Sequence, residues 1–390
     1  MLRKMTFFIF LIPTISLASY YQTLPKGVRN FTYRYIQTGE ISGSFSSTGN
    51  FKGYNVNATI NADSLKGING AVDAYLNSLS ADDYKNLSFG TFEGSASSKV
   101  SAQVLAGGYG LTDKLTLYTY IPFYNAVVDL RVERTKKGRN TVNSDVISLE
   151  NLPDVDVRLL QSLFVNYYNY KPLGKWEAGN FGDTEFGFMY QLKKWQRAGL
   201  MLTSGVVAPT GRIDDPDIIQ DIAFGDGQWD GFLEFGGGYS FNELIGFDNW
   251  MRYTYQFPYS TELRLPESKT FPITKNKGMT KIKLGNKFSE NLQSTLTLTD
   301  AWSTSLLYTF ESQEASSFDS SSAAANSILA SDTQKISHSA RLAISFSTLN
   351  LYRQKLFKIP VQLTLSAQSY FAGKNIPKYS LADLELRIYF

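Results

Sequence analysis

The chain ends on the stretch Asp383-Leu384-Glu385-Leu386-Arg387-Ile388-Tyr389-Phe390, in which every second side chain is apolar. One face of this stretch carries Leu384, Leu386, Ile388 and Phe390, and the other carries Asp383, Glu385, Arg387 and Tyr389. Successive side chains of a β-strand point to opposite faces of the sheet, so this period of two predicts a strand with one apolar face. A strand of this kind can also end a soluble β-sandwich, so this stretch alone does not fix the fold class.

The same alternation recurs along the chain in segments long enough to cross a bilayer as tilted strands, for which about 9–11 residues suffice. These segments are residues 181–192, 228–241, 251–259, 278–288 and 359–371. In a transmembrane barrel one face of each strand meets lipid and the other a polar lumen. The pattern therefore predicts an all-β protein, a transmembrane antiparallel β-barrel. A final Phe390 at a strand end is typical of bacterial outer-membrane barrels, and we expect the barrel-assembly machinery to recognise it.

The first eighteen residues read as a secretory signal peptide. Arg3 and Lys4 precede the apolar run from Phe7 to Leu17, and the small residues Ser16 and Ala18 stand where a signal peptidase reads. The apolar run is too short for the roughly 20 residues of a spanning helix. We expect removal of residues 1–18 and a single barrel domain over residues 19–390, located in the bacterial outer membrane.

Composition excludes several other classes. The chain has 390 residues with no cysteine and one histidine, and 38 basic against 35 acidic residues give a net charge of +3. Thiol catalysis and sulfur-ligated metals are therefore excluded, and the small charge offers no nucleic-acid footprint. The single histidine, His338, shares its strand face with the apolar Ala340 and Leu342, away from any lumen. We expect no enzyme activity, no cofactor and no metal.

Connection lengths set the strand count. Short turns are predicted at residues 110–113, 193–196, 242–243 and 289–291, and long connections between them on the outer side. This reading gives about twelve strands, the eighth over residues 278–288. A hidden hairpin near Asp300 raises the count to fourteen. Two outer connections, about residues 64–79 and 154–169, carry the apolar spacing of short helices, which either cap their own loops or form a gate at the mouth.

The connection before residue 228 is rich in aspartate. Asp214, Asp215, Asp217 and Asp221 precede Gly225-Asp226-Gly227. A loop of this kind either binds a hard cation or is an ordinary solvated loop. It lacks the ligand spacing of an EF-hand, so the solvated loop is the favoured interpretation.

Several turn motifs resemble those of a known group. Tyr109-Gly110-Leu111-Thr112-Asp113 is followed by Ile121-Pro122-Phe123, then by Gly182-Asp183-Thr184, Pro209-Thr210-Gly211 and Gly225-Asp226-Gly227-Gln228-Trp229. Their order and spacing resemble the meta-pathway phenol-degradation or transporter-like β-barrel family of the outer membrane. The resemblance covers roughly residues 97–241, and it implies a barrel and a channel for hydrophobic molecules.

Strand parity assigns charged side chains of both signs to the lumen. The predicted lumen-lining residues are Asp183, Glu185, Asp230, Glu234, Arg252, Lys281, Lys283, Lys287, Arg341 and Arg387. Opposed charges can pair across a narrow barrel and obstruct free flow.

We therefore expect a channel that passes small, hydrophobic or aromatic molecules by passive movement, with the lipid bilayer as its surroundings and a solute that the sequence does not name. The alternative is a structural or surface-interaction barrel with a plugged lumen and partner-binding outer loops. A closed lumenal network of ion pairs favours the alternative.

Overall fold

The computed structural model describes residues 20–66, 70–139, 156–269 and 271–390. The expected signal peptide lies outside the described residues. Twelve antiparallel strands form the wall of a barrel. In chain order they are β1 (Arg29–Thr38), β2 (Ser88–Thr112), β3 (Leu115–Arg139), β4 (Thr184–Lys194), β5 (Ala198–Ala208), β6 (Asp230–Ser240), β7 (Ile245–Gln256), β8 (Lys287–Thr297), β9 (Trp302–Gln313), β10 (Lys335–Ser347), β11 (Val361–Lys374) and β12 (Ser380–Tyr389).

The barrel is closed by its first and last strands. Phe31 of β1 lies opposite Ile388 of β12 on one side and opposite Gly107 of β2 on the other. Every other strand of the wall also has two neighbours, so the ring has no free edge at the level of the barrel. Two further strands, Asn55–Asn61 and Lys175–Phe181, pair with the parts of the 25-residue strands β2 and β3 that extend beyond the ring.

Burial along the strands is the reverse of a soluble protein. In β12, Asp383 is 2% exposed and Arg387 is 2% exposed, whereas the intervening Leu384 is 44% exposed. Charged residues are thus inside and apolar ones outside, which suits a wall surrounded by hydrocarbon. The predicted fold class is confirmed. None of the helices in the described ranges is long and apolar enough to span a bilayer.

The two ends of the barrel differ. Tight turns after β2, β4, β6 and β8 lie at the end that also holds the start of β1 and the end of β12, which we call the inner end. The connection from β10 to β11 at this end is longer and contains the short helix Leu349–Arg353. The opposite, outer end carries the long connections, except for the short link between β11 and β12 around Ile376–Pro377. The predicted alternation of short and long connections therefore holds in all but these two places.

The predicted eighth strand was misplaced. Ser289, Glu290 and Asn291 form no turn, because they lie inside β8, and the hairpin suspected near Asp300 is the real turn between β8 and β9. The segment Lys277–Lys283 is a strand of a separate small sheet, paired with Tyr259–Arg264 and Ser317–Asp319. The count of twelve is right because the two errors cancel: residues 277–283 are not a wall strand, and the hairpin near Asp300 adds one strand to the wall. The count of fourteen is wrong for the closed ring.

The outer connections carry the remaining elements. A second small sheet joins Gly43–Phe45, Phe51–Gly53 and Ile376–Pro377. The helices of the outer connections in the described ranges are α1 (Ala62–Leu65), α2 (Gly70–Ser78), α3 (Ala81–Asn86), α4 (Val157–Ser162), followed by a π-helical turn over Leu163–Tyr167, and α5 (Ala323–Ala330).

Candidate lumenal site

Charged side chains meet inside the barrel in two clusters. In the first, Arg252 of β7 donates to Glu185 of β4 at 2.7 Å. Two strands, β5 and β6, lie between them in the sheet, so this ion pair bridges part of the lumen. Tyr118 donates to Glu185 at 2.8 Å, and the Arg252 guanidinium lies 3.6 Å from the ring centre of Phe232. These contacts use the strong bidentate and stacking geometry of arginine.

The second cluster lies against β12. The Asp383 carboxylate accepts from Arg34 at 2.9 Å, from Arg341 at 3.0 Å and from Ser366 at 2.7 Å. Arg387 donates to Glu385 on the same strand at 2.8 Å. Buried charges are tolerable only when they are paired and hydrogen-bonded, and this cluster meets that condition. It also reduces the open cross-section of the lumen.

Eight of the ten predicted lumenal residues lie inside the barrel or at its outer rim: Asp183, Glu185, Asp230, Glu234, Arg252, Lys287, Arg341 and Arg387. Their role in a pore stays a prediction. The placement of Lys281 and Lys283 in the lumen is wrong. Both are exposed on the small outer sheet, and the intervening Ile282 is 3% exposed, which reverses the predicted parity of this segment.

The inner end of the lumen is occupied by the segment that precedes β1. The Tyr20 hydroxyl donates to Glu234 at 2.5 Å, and the Tyr20 ring stacks on Trp250 with centroids 4.8 Å apart. The Tyr20 amide donates to Asp248 at 3.0 Å. Tyr21 is buried beside Met201. We call residues 20–28 the inner plug.

Two glycines make room for the inner plug. A Cβ at Gly199 or Gly238 would collide with the Tyr21 ring. Gly238 belongs to the run of three glycines at residues 236–238 in β6, and a glycine inside a strand often marks a place where a neighbouring segment approaches closely. Beyond Tyr21, the Leu24 amide donates to Thr116 at 2.9 Å. The plug is therefore fixed to the wall on several sides.

The outer end of the lumen holds a second inserted segment, residues 209–229. Ile222 is 2% exposed and Phe224 is 8% exposed, and the Phe224 ring stacks on Tyr124 of β3 with centroids 5.5 Å apart. The solvated-loop interpretation is therefore wrong for this connection, because its apolar residues fold into the barrel mouth. We call residues 209–229 the outer plug. Among the described residues, no group of His, Cys, Asp or Glu has the arrangement of a metal site.

Asp183 holds the two ends of the outer plug together. Its two carboxylate oxygens accept from the Gly211 amide at 2.9 Å and the Asp226 amide at 3.1 Å. Within the plug itself, Arg212 makes two hydrogen bonds of 2.7 Å to Asp221. Both ends of the plug are thus tied to each other and to the start of β4.

The remaining outer connections cover this plug. Arg264 donates to Asp217 at 2.6 Å and lies 3.6 Å over the Tyr170 ring, and Lys277 also donates to Asp217 at 2.6 Å. Partial burial alone raises the pKa of Asp217, but the hydrogen bonds from Lys277 and Arg264 outweigh it and hold that pKa below its usual value. As an anion, Asp217 therefore links the outer plug to the connection between β7 and β8, and its partner Arg264 also contacts the connection between β3 and β4 at Tyr170.

A cavity of about 200 Å³ lies between the outer plug and the lumenal charges. One side is apolar and the other polar. The apolar side includes Val100, Tyr120, Tyr124, Ile222, Phe224 and Ile376. The polar side includes Asp183, Asp230, Arg252, Lys287, Glu311 and Gln313. An apolar pocket with a few convergent polar groups is the usual form of a small-molecule site.

The closed ring, its apolar outer surface and its charged lumen define a transmembrane β-barrel of the outer-membrane type. The structure resembles that of an outer membrane channel from Pseudomonas putida F1, with a TM-score of 0.54, 14% identity and coverage of 95% of this chain and 98% of that chain. Lower similarity is found to a FadL homologue from Pseudomonas aeruginosa, with a TM-score of 0.34 and 8% identity over 94% of this chain and 90% of that one. The Ralstonia pickettii toluene transporter TbuX has a TM-score of 0.35 and 8% identity, over the same shares of 94% and 90%.

The likeness to the Pseudomonas putida F1 channel shows a shared barrel fold, which is consistent with the transporter-like β-barrel family that the turn motifs resemble. No protein-family model matches the sequence, and no curated protein matches it. The likeness in structure is therefore one of fold.

Sequence reasoning missed both plugs. Tyr20 and Tyr21 follow the expected cleavage point with no periodic pattern, and nothing in them signals a lumenal position. The outer plug did carry a signal, since Ile218, Ile219, Ile222 and Phe224 are apolar residues in an otherwise acidic loop. Apolar residues at that density are unusual in a solvated loop.

Proposed function

We propose that this protein is a passive outer-membrane channel for small hydrophobic or aromatic molecules. The observation that carries the proposal is the cavity between the outer plug and the lumenal charges, whose apolar side is formed by Tyr124, Phe224 and their neighbours. Movement of the two plugs would widen the path through the lumen without a change in the barrel wall. The fold shared with an outer membrane channel supports this reading.

The localisation and processing belong to the same proposal. The chain carries a signal peptide over residues 1–18, and residues 19–390 form one barrel domain with helical insertions at about 64–79 and 154–169. Phe390 at the end of β12 is the element that the assembly machinery reads, and the lipid bilayer surrounds the exposed apolar face. Passive movement fits a lumen in which the charged side chains are engaged with one another.

A second candidate is a structural or surface-interaction barrel, and a specific observation favours it. The lumen contains the Arg252–Glu185 and Arg34–Asp383–Arg341 ion pairs together with two plugs, so the described structure has no wide passage. In this reading the outer loops bind a partner. Residues 314–333, which connect β9 to β10 and include α5, are the segment whose removal should then abolish binding without altering permeability.

Uptake into liposomes containing the purified full-length protein tests the choice. A channel should accelerate entry of small aromatic solutes such as benzyl alcohol while sugars of similar mass enter slowly, and planar bilayers should show small conductance steps. Protein-free liposomes provide the baseline. Absence of any solute passage and of any conductance, with all loops intact, contradicts a transport role and leaves the interaction barrel.

A further inference from the structure

The cavity below the outer plug has an excess of hydrogen-bond acceptors. Its lining includes five carboxylates, Asp183, Glu185, Asp226, Asp230 and Glu311, against three cationic side chains, Arg252, Lys287 and Lys335. Arg252 is already engaged with Glu185 at 2.7 Å. The Lys287 ammonium lies 3.9 Å from Asp226 and 3.8 Å from Asp230, longer than a good charge-assisted hydrogen bond.

Two side-chain amides, those of Gln313 and Gln256, are hydrogen-bonded in series and add a further acceptor to the cavity. The Gln313 side-chain amide donates to Gln256 Oε1 at 3.1 Å, and the Gln256 amide donates to Asp226 at 3.1 Å. Gln256 must donate to the carboxylate, which accepts only, so its oxygen faces Gln313 and fixes the orientation of that amide too. Gln313 lines the cavity and is 4% exposed, and its Oε1 has no hydrogen-bond partner among the described residues.

A buried acceptor without a partner costs about 1–3 kcal/mol, so a bound donor would recover that loss. The nearby Glu311 carboxylate accepts from Ser337 at 2.9 Å and also lines the cavity. A ligand group that donates hydrogen bonds and carries positive charge satisfies both needs at once. An alcohol provides a single donor, and a carboxylate would add to the negative excess.

The opposite side of the cavity restricts the rest of the ligand. Tyr124 and Phe224 present stacked rings, and Ile222 is almost fully buried beside them. A volume of about 200 Å³ exceeds the ~150 Å³ of an apolar cavity that holds benzene. One ring with a short arm therefore fits. Because that arm must end in a donor, we propose that the cavity is a binding site for small amphipathic amines, an aromatic ring joined to an ammonium group.

This proposal rests on the proposed channel function and names its solute class. The test is calorimetric titration of the purified full-length chain with three probes that share one ring: benzylamine, benzyl alcohol and benzoate. Benzylamine should bind about ten-fold more tightly than benzyl alcohol, the ratio expected of one charge-assisted hydrogen bond. Benzoate should not bind measurably.

Two variants locate the binding. Glu311→Gln removes the charge, and Gln313→Leu removes the unpartnered acceptor. In each variant benzylamine should bind only about as tightly as benzyl alcohol. Glu314→Gln is the matched control, because Glu314 is an exposed residue next to Gln313 and should leave the preference unchanged. Heat-dependent migration in gels shows whether each variant is folded. If the Glu311 variant does not fold, the Gln313 variant alone tests the site.

The possible outcomes are distinct. Equal binding of benzylamine and benzyl alcohol, or a preference that survives in both variants, overturns the amine site while leaving the channel in place if liposome uptake of benzyl alcohol persists. Failure of all three probes to bind overturns the amine site as well. Failure of the channel itself is read separately, from the absence of solute passage and conductance.

Discussion

Tyr20 stacks on Trp250 with ring centroids 4.8 Å apart and an angle of 6° between the planes, although 230 residues separate them in the chain. The same tyrosine donates its hydroxyl hydrogen to Glu234 in the lumen. The start of the described chain is therefore bound inside the barrel that the rest of the chain builds. This contact holds the inner plug in the inner end of the lumen.

Replacement of Tyr20 by alanine should loosen the inner plug. The Tyr20→Ala variant loses the stack on Trp250, and Glu234 loses a hydrogen bond inside the barrel. We expect larger single-channel conductance or more frequent opening in planar bilayers, with deletion of residues 20–24 giving a greater increase. Tyr352→Ala, at an exposed tyrosine of the inner turn, should resemble the parent protein. Unchanged conductance in the deletion would show that the inner plug does not limit flow.

Breaking the Arg252–Glu185 pair on one side should destabilise the barrel. Glu185→Gln leaves a buried guanidinium without its carboxylate, and removal of one partner of a buried pair typically costs about 3–5 kcal/mol. Urea unfolding of the refolded protein measures the loss. The double variant Glu185→Gln, Arg252→Met should recover part of it, since the unpaired guanidinium is gone and Glu234 keeps its hydrogen bond from Tyr20. A single variant as stable as the parent would contradict the lumenal pairing.

The lysines of the small outer sheet should not affect ion flow. Lys281→Gln and Lys283→Gln change exposed side chains outside the barrel wall, so conductance and ion selectivity should stay the same. Lys287→Gln removes a cationic side chain that lines the cavity and should shift selectivity towards cations. Reversal potentials in a salt gradient measure the shift. If Lys281→Gln shifted selectivity as much as Lys287→Gln, Lys281 would lie in the lumen, as the sequence predicted.

Asp183 should hold the outer plug closed. In Asp183→Ala the Gly211 and Asp226 amides lose their acceptor, at about 1–3 kcal/mol for each donor left buried. Hydrogen exchange across residues 209–229 should become faster, and conductance should increase. Asp300→Ala, in an exposed turn at the inner end, is the control. Slow exchange of the plug in the Asp183 variant would place its anchor elsewhere.

Acid should open the outer connections before it unfolds the barrel. The pKa of Asp217 is lowered in the folded protein, so its contribution to stability is present above the ordinary aspartate pKa of about 3.9 and is lost as pH falls through the lowered value. Pepsin cleavage in residues 156–173 should therefore increase as the pH falls below about 4. Asp217→Asn should be cleaved readily at pH 5 as well. Cleavage independent of pH in the parent protein would exclude this carboxylate as the link.

Strand-level features were predictable wherever one face of a strand meets lipid. The terminal strand around Leu384 and Leu386 was placed correctly because hydrocarbon outside and water or ion pairs inside impose a strict period of two. The same rule failed at Lys277–Lys283, where alternation reflects a small sheet packed on Ile282 above the rim. A local period of two indicates a two-sided strand, but it does not say which side faces lipid.

The sequence by itself determined the barrel and the side with long connections, because both follow from local alternation and turn chemistry. The tertiary structure decided which charges pair and what fills the lumen. Tyr20 meets Trp250, and Phe224 meets Tyr124, only after the ring has closed and its interior has a defined width. Contacts between residues so far apart in the chain depend on the shape of the whole barrel, and no local pattern records them.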